Sequence, residues 1–274
     1  MKGVDAERIP HRHWRILHVS DKAGQMHERA GETAEQTAEE SARRIETVGA
    51  ETRAMAARYE ALFTDLRAAV RAHAITAADP AAAAAAANLV AGRAAEALRR
   101  AFPRQRATAC RTGCAMCCHL QVHVPPQSAF LIARHITEHV DAGQRAALMR
   151  RLEAAVAALN AAADPSRVRH PCALLGPDNA CMVYDVRPLS CRAFTSVSAE
   201  RCRTAIFETT SGSAAVEQDP GHFRFFAEAT IALLDVAEAT GRPSDQADLC
   251  VALLAILNDP DLERRWQQAG AADR

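Results

Sequence analysis

The chain has 274 residues, with 33 Lys and Arg against 33 Asp and Glu, so its formal net charge is zero and no global field argues for nucleic acid or a membrane surface. That length suffices for one large domain or two small ones and for a real core. Lys2 and Lys22 are the only lysines and aromatics are few; this arginine- and alanine-rich composition looks like a coding bias, and its Ala, Leu and Val favour helices.

The N-terminal stretch MKGVDAERIPHRHWRILHVS carries charges and histidines where a secretory signal needs an apolar run, so no signal is predicted. No uncharged apolar stretch is long enough to span a bilayer, and the alanine run 81–87 is too short and too weakly hydrophobic. Together these features predict a soluble, cytoplasmic protein, where glutathione keeps thiols reduced. Nine cysteines in that setting read as metal ligands or redox groups rather than structural disulfides. Residues 1–30 read as a flexible lead-in. Within it, His11, His13 and His18 are given no role.

From about Glu32 to Ala74 the pattern is helical. Ile45, Val48, Thr52, Met55, Tyr59, Leu62, Leu66 and Ala69 follow an alternating three-four spacing, a heptad seam with weak members at Thr52 and Ala69. Two readings fit: one amphipathic helix packing on its own protein, or a homodimer through the 45–70 helix. Asp79-Pro80 starts a second helix, with Asp79 as N-cap, which ends near Ala101 before Pro103. Pro125-Pro126 break the chain before a short helix at Gln127–His139. Asp141 caps another to about Ala162, with Leu148, Leu152, Val156 and Leu159 on one face, and Asp164-Pro165 ends it. Residues 166–215 read as irregular. Helices return at about 221–240 and 245–258, separated by Gly241-Arg242-Pro243, and a short one closes the chain at 260–269. There is no internal repeat. The predicted fold is all-α, mainly helical, around an irregular, metal-stapled cysteine-rich core. Its predicted regions are 1–100 (lead and long helices), 101–215 (cysteine core) and 216–274 (C-terminal helices on the core).

Eight of the nine cysteines fall in two blocks: Cys110, Cys114, Cys117 and Cys118, then Cys172, Cys181, Cys191 and Cys202. Cys250 stands apart in the apolar stretch DLCVALLAIL and reads as a small buried hydrophobe. A Cys-x2-Cys turn such as Cys114–Cys117 lets two thiolates converge on one ion at metal–sulfur distances of about 2.3 Å. Adjacent side chains diverge in a helix and oppose in a strand, so Cys117 and Cys118 rarely share one ion. The doublet therefore favours an iron–sulfur cluster or a binuclear site over a simple zinc finger. The second block has Pro171, Gly176-Pro177 and Asp178-Asn179 at turn positions and little periodic apolar pattern. A metal would supply the stability it lacks, on the order of 10–16 kcal/mol for structural zinc in finger peptides.

From Ala97 to Thr137 there is no acidic residue, but there are Arg99, Arg100, Arg104, Arg106, Arg111 and Arg134. These either form a solvated basic face or offset thiolate charge and lower thiol pKa values. Without interleaved aromatics they do not read as a nucleic-acid patch. His119, His123 and His170 lie beside the cysteines as ligand or surface histidines, with His119 the first candidate.

The segments CRTGCAMCCHLQVHVPPQSAFLIARHI at 110–136 and CALLGPDNACMVYDVRPLSCRAF at 172–194, followed by Cys202, resemble the CxxCxxCC zinc- or iron-chelating family, the YkgJ-like cysteine-cluster proteins. The first spacing here is x3 where the family name has x2. Gln127-Ser128-Ala129 stands where an acidic residue is common. The resemblance implies metal chelation, and some relatives, notably the flagellin lysine methyltransferases, are associated with an iron–sulfur cluster. Tyr184, Arg187 and Arg192 match the family motif. Arg187-Pro188 would fix a turn beside Cys191, and Arg192 would balance cluster charge or bind an anionic substrate.

Function is thereby expected to be metal binding, by an iron–sulfur cluster or zinc, in a structural or redox role. If there is one site, it takes Cys114, Cys117, Cys118 and one or more of Cys172, Cys181 and Cys191. The alternatives are a metal- or cluster-dependent modifying enzyme, methyltransferase-like, and a metal or redox sensor or chaperone. Against the enzyme, no Gly-rich loop on a strand–helix unit marks a standard nucleotide or S-adenosylmethionine site.

Overall fold

The structure, a computed structural model, describes residues 21–104, 106–208 and 216–270, with side chains from residue 33 onward. The expected lead-in at residues 1–20, with its three histidines, lies outside the described residues. The lead-in was also expected to take in residues 21–30, but helix α1 runs from Asp21 to Thr76. Glu32 is therefore not the start: nothing from Lys22 to Ala30 breaks a helix except Gly24, which costs only about 1 kcal/mol.

The chain divides into two compact units, Met1–Arg58 and Tyr59–Arg274. In the first, the described part is helix alone, and the seam residues Ile45, Val48 and Met55 are exposed. The Thr52 hydroxyl turns back to the Val48 carbonyl at 2.7 Å, which satisfies a polar group inside the apolar seam.

The second unit is mainly helical, as expected. Helices α2 (Pro80–Ala101), α3 (Pro126–His139), α4 (Ala142–Ala161), α5 (Leu189–Ala193), α6 (Ala199–Arg203), α7 (Pro220–Ala239), α8 (Leu249–Asn258) and α9 (Leu262–Ala269) follow in order. The only described sheet pairs β1 (His123–Val124) with β2 (Ala247–Asp248) antiparallel, His123 opposite Asp248. Asp79 and Asp141 cap α2 and α4 as expected, accepting from the amides of Ala82 and Gln144 at 2.8 and 2.9 Å. Helix α8 starts four residues later than expected, because 247–248 pair with β1 instead.

Two large apolar cores and a smaller cluster of Ala81, Phe130, Ala237 and Trp266 hold the described part of the unit. In one, the small side chains of Ala84, Ala87, Ala91 and Ala95 on α2 face Phe226, Leu233 and Val236 of α7. The small stripe brings the two backbones close. Arg67 and Arg71 of α1 pair with Glu228 and Asp235 of α7 at 2.8 and 2.9 Å. In the other, Ile132 and Ile136 of α3, Leu148 and Leu152 of α4 and Leu253 of α8 are fully buried. The cysteine loops rest on this second core through Leu174 and Val183. Gln127, inside α3, is buried and donates from Nε2 to the Leu233 carbonyl at 2.8 Å, so it bridges the two cores rather than facing the cysteines.

The stretch expected to be irregular is more ordered than its composition suggests. It holds α5, α6, a 3-10 turn at Tyr184–Val186 and a π-helical turn at Thr204–Glu208. Leu189 and Ala193 reach the first core, and such tertiary burial overrides weak local periodicity.

Candidate metal centre

The first cysteine block is a series of tight turns. The Ala109 amide donates to the Ser196 carbonyl at 2.7 Å and anchors the strand leading to Cys110. Gly113 adopts φ 83°, which lets the Cys114 amide close on the Arg111 carbonyl at 3.0 Å. A 3-10 turn at Met116–His119 then carries the doublet. With about three residues per turn, successive side chains fan apart by roughly a third of a circle, yet the two thiols still act on each other's acidity.

The second block docks on the first through its backbone. The Cys172 amide donates to the Cys118 carbonyl at 2.7 Å. The chain turns back at Gly176–Asn179, with Asn179 at φ 58°, and Leu175 bridges Cys181. The turn at Tyr184–Val186 leads through Arg187-Pro188 into α5, which presents Cys191. Cys202 sits buried on α6, whose first turn is capped by the Ser198 hydroxyl.

The folded chain sorts the cysteines into three groups. Cys117, Cys118, Cys181 and Cys191 share one environment, and each feels the positive charge of Arg187. Cys110, Cys114 and Cys202 are neighbours beside it, with the Cys110 thiol 3.9 Å from the Ser196 carbonyl. Cys172, which also lines the cavity, interacts chiefly with the Cys250 thiol. Cys250 is buried as expected, yet its contact with Cys172 was not foreseen; the one faint signal was an odd count of nine cysteines.

Burial dominates the acidity of these thiols. It pushes Cys191 up to about 12 and raises Cys181. Cys117 is raised by its interaction with Cys118 and then by burial, and Cys118 is lowered by the same interaction. At Cys181 and Cys191 the positive charge of Arg187 opposes the effect of burial but does not overcome it.

Arg187 is the central cation. Its guanidinium lies over the Tyr184 ring, 4.2 Å from the centroid, and its buried Nε has no hydrogen-bond partner. Arg192 lies close enough for the two cations to repel, and burial lowers its pKa first, Arg187 second. Of the basic run, Arg100, Arg106 and Arg134 are taken up by Glu96, Glu217, Asp79 and Glu263, while Arg111 lines the cysteine cavity. That cavity, of about 290 Å³, is lined by every cysteine of the two blocks except Cys202, with Tyr184, Arg187 and Arg192. His123 also lines it. His119 bonds the Ala115 carbonyl at 3.1 Å and lies edge-on to Phe207, and His170 bonds the Pro171 carbonyl at 2.8 Å.

Residues 109–212 match the model of the CxxCxxCC family, described as "Putative zinc- or iron-chelating domain". The match covers less than half of the chain. Searches of curated proteins and of solved structures returned no match. The matched segment takes in both cysteine blocks and leaves Cys250 outside. The match supports a metal-binding role for it.

The donor set fits such a metal. Cys117, Cys118, Cys181 and Cys191 are soft donors that act on one another's acidity beside the half-buried Arg187, whose Nε is buried without a hydrogen-bond partner, the complement an anionic thiolate–metal group needs. As the side chains stand, no three His, Cys, Asp or Glu groups are in ligating position among the described residues. Metal binding would take the protons from these thiols. No described helix is long and apolar enough to cross a membrane.

Proposed function

We propose that the matched segment holds an iron–sulfur cluster on Cys117, Cys118, Cys181 and Cys191, in a structural or electron-carrying role in a cytoplasmic protein. The observation that carries this is the meeting of those four thiols, from both blocks, around Arg187 and its unpartnered Nε. Two further features favour a cluster over a single zinc ion. Adjacent Cys117 and Cys118 rarely serve one ion together, and a cavity of about 290 Å³ far exceeds what one ion needs. When bound, the cluster supplies one-electron chemistry. Arg187 and Arg192 offset its negative charge, Tyr184 covers Arg187, and Leu174 and Val183 hold the loops in place. Closing the thiols on the metal requires them to turn about χ1, at about 0.5–1.5 kcal/mol for each one left off-rotamer, small beside the strength of metal–thiolate bonding.

The test is oxygen-free purification followed by assay of iron, zinc, acid-labile sulfide and visible absorption. Iron with sulfide is expected in the wild type, lost in Cys181→Ala and Cys191→Ala and kept in Cys250→Ala. Zinc without sulfide would refute the cluster. Unchanged metal in both variants would refute the ligand set.

The cavity also favours a second reading, a cluster-dependent modifying enzyme of methyltransferase-like type. Arg111, Arg192 and Tyr184 beside the thiols suit a small anionic substrate. We propose further that the exposed seam Ile45–Val48–Met55 pairs with a second copy. Met55→Asp should shift the protein toward monomer in sedimentation; an unchanged mass would refute this pairing.

A further inference from the structure

We propose that Cys172 and Cys250 form a second, separate site: a dithiol that hydroperoxides oxidise to a disulfide, tying the matched segment to helix α8. Three observations carry it. The two residues pack in one apolar core, close enough for their thiols to act on each other's acidity. Both lie on rigid supports. The Cys172 amide is held by the Cys118 carbonyl at 2.7 Å, and the Cys250 amide by the Asp248 carboxylate at 2.8 Å, with Asp248 itself paired to β1. Both sulfurs also line one small crevice, distinct from the main cavity's walls at Cys250, whose other polar groups include His119, His170 and Asp248. A peroxide is small enough to use it.

The chemistry balances. The Cys250 sulfur attacks one peroxide oxygen; the O–O bond breaks, and the displaced oxygen leaves as water with the thiol proton. Cys250 is then a sulfenic acid. The Cys172 sulfur attacks that sulfur, forms the S–S bond and expels hydroxide, which takes the Cys172 proton and leaves as a second water. Two thiols lose two electrons in all, and one hydrogen peroxide becomes two waters.

A backbone tie to the doublet distinguishes this pair from an ordinary buried one. The Cys172 amide donates to the Cys118 carbonyl, so a disulfide at Cys172 would pin the backbone that supports the doublet. This consequence for the metal rests on the cluster proposal; the dithiol itself does not.

The experiment is peroxide treatment of the protein as purified without oxygen, then alkylation of free thiols and peptide mapping by mass spectrometry. A Cys172–Cys250 crosslinked peptide is expected, with loss of alkylation at both and a mass lower by two hydrogens. The crosslink should vanish in Cys250→Ala, and reductant should restore alkylation in the wild type. Wild-type Cys250 that stays alkylatable, or a crosslink joining other cysteines in its place, would overturn the proposal without bearing on the metal assay. Because the decisive readout uses the wild-type chain, failure of Cys250→Ala to fold leaves the test intact.

Discussion

Replacing Arg187 with Met separates two roles that a simple stability measurement would merge. In the metal-free chain the guanidinium gives little to the fold. Its Nε is buried without a partner, a burden of about 1–3 kcal/mol. Its stack on the exposed Tyr184 ring, 4.2 Å away, returns only about 0.5–1 kcal/mol. Arg187→Met keeps most of the aliphatic stem and removes the unpaired group. The metal-free protein should therefore be as stable as wild type or more stable by about 1 kcal/mol. The loaded protein should behave in the opposite way. Arg187 is the one cation that acts on Cys117, Cys118, Cys181 and Cys191 together. Groups placed beside metal ligands in this way are worth about 10–100-fold in metal affinity. Thermal melts of both forms and chelator competition measure the two effects. A large loss of metal-free stability with unchanged affinity would refute the reasoning and make Arg187 a strut of the loop.

Three other predictions can be checked as directly. Cys191 and Cys181 hold their protons more tightly folded than unfolded, so above the ordinary thiol pKa of about 8.5, and for Cys191 up to a folded value of about 12, the native state binds more protons. Stability of the metal-free protein should be full below that window and fall as pH rises through it; denaturant midpoints that stay flat from neutral to alkaline pH would contradict this. Metal uptake should release protons, seen as acidification of an unbuffered titration. Gln127→Glu buries a carboxylate where a neutral amide now meets the Leu233 carbonyl, and should lower stability by about 3 kcal/mol or more; a melting temperature within a degree of wild type would show that the site admits water.

Much of the helical frame was legible in the sequence, because its signals are local. Asp79-Pro80 and Asp141 announce helix starts through groups within three residues of the backbone they cap. The apolar spacing of α4 and the Cys-x2-Cys and Arg-Pro-x2-Cys patterns of the matched segment are local in the same sense. What local signals missed depended on distant partners. Residues 189–208 form helical turns because Leu189 and Ala193 find a core built by α2 and α7. Residues 247–248 leave the helix pattern because β1 offers them a strand.

The cysteines show the same division. Sequence alone settled that this chain carries two thiol blocks with metal-chelating spacing, since residue type and short spacing are covalent facts. Which thiols meet was decided only by tertiary structure. Cys117 and Cys181 are neighbours, and Cys172 faces Cys250, because the Cys172 amide docks on the Cys118 carbonyl and the loop beyond it folds back over Leu174 and Val183. Directions of side chains across such loops follow from burial and backbone hydrogen bonds made tens of residues away, and no spacing rule records them.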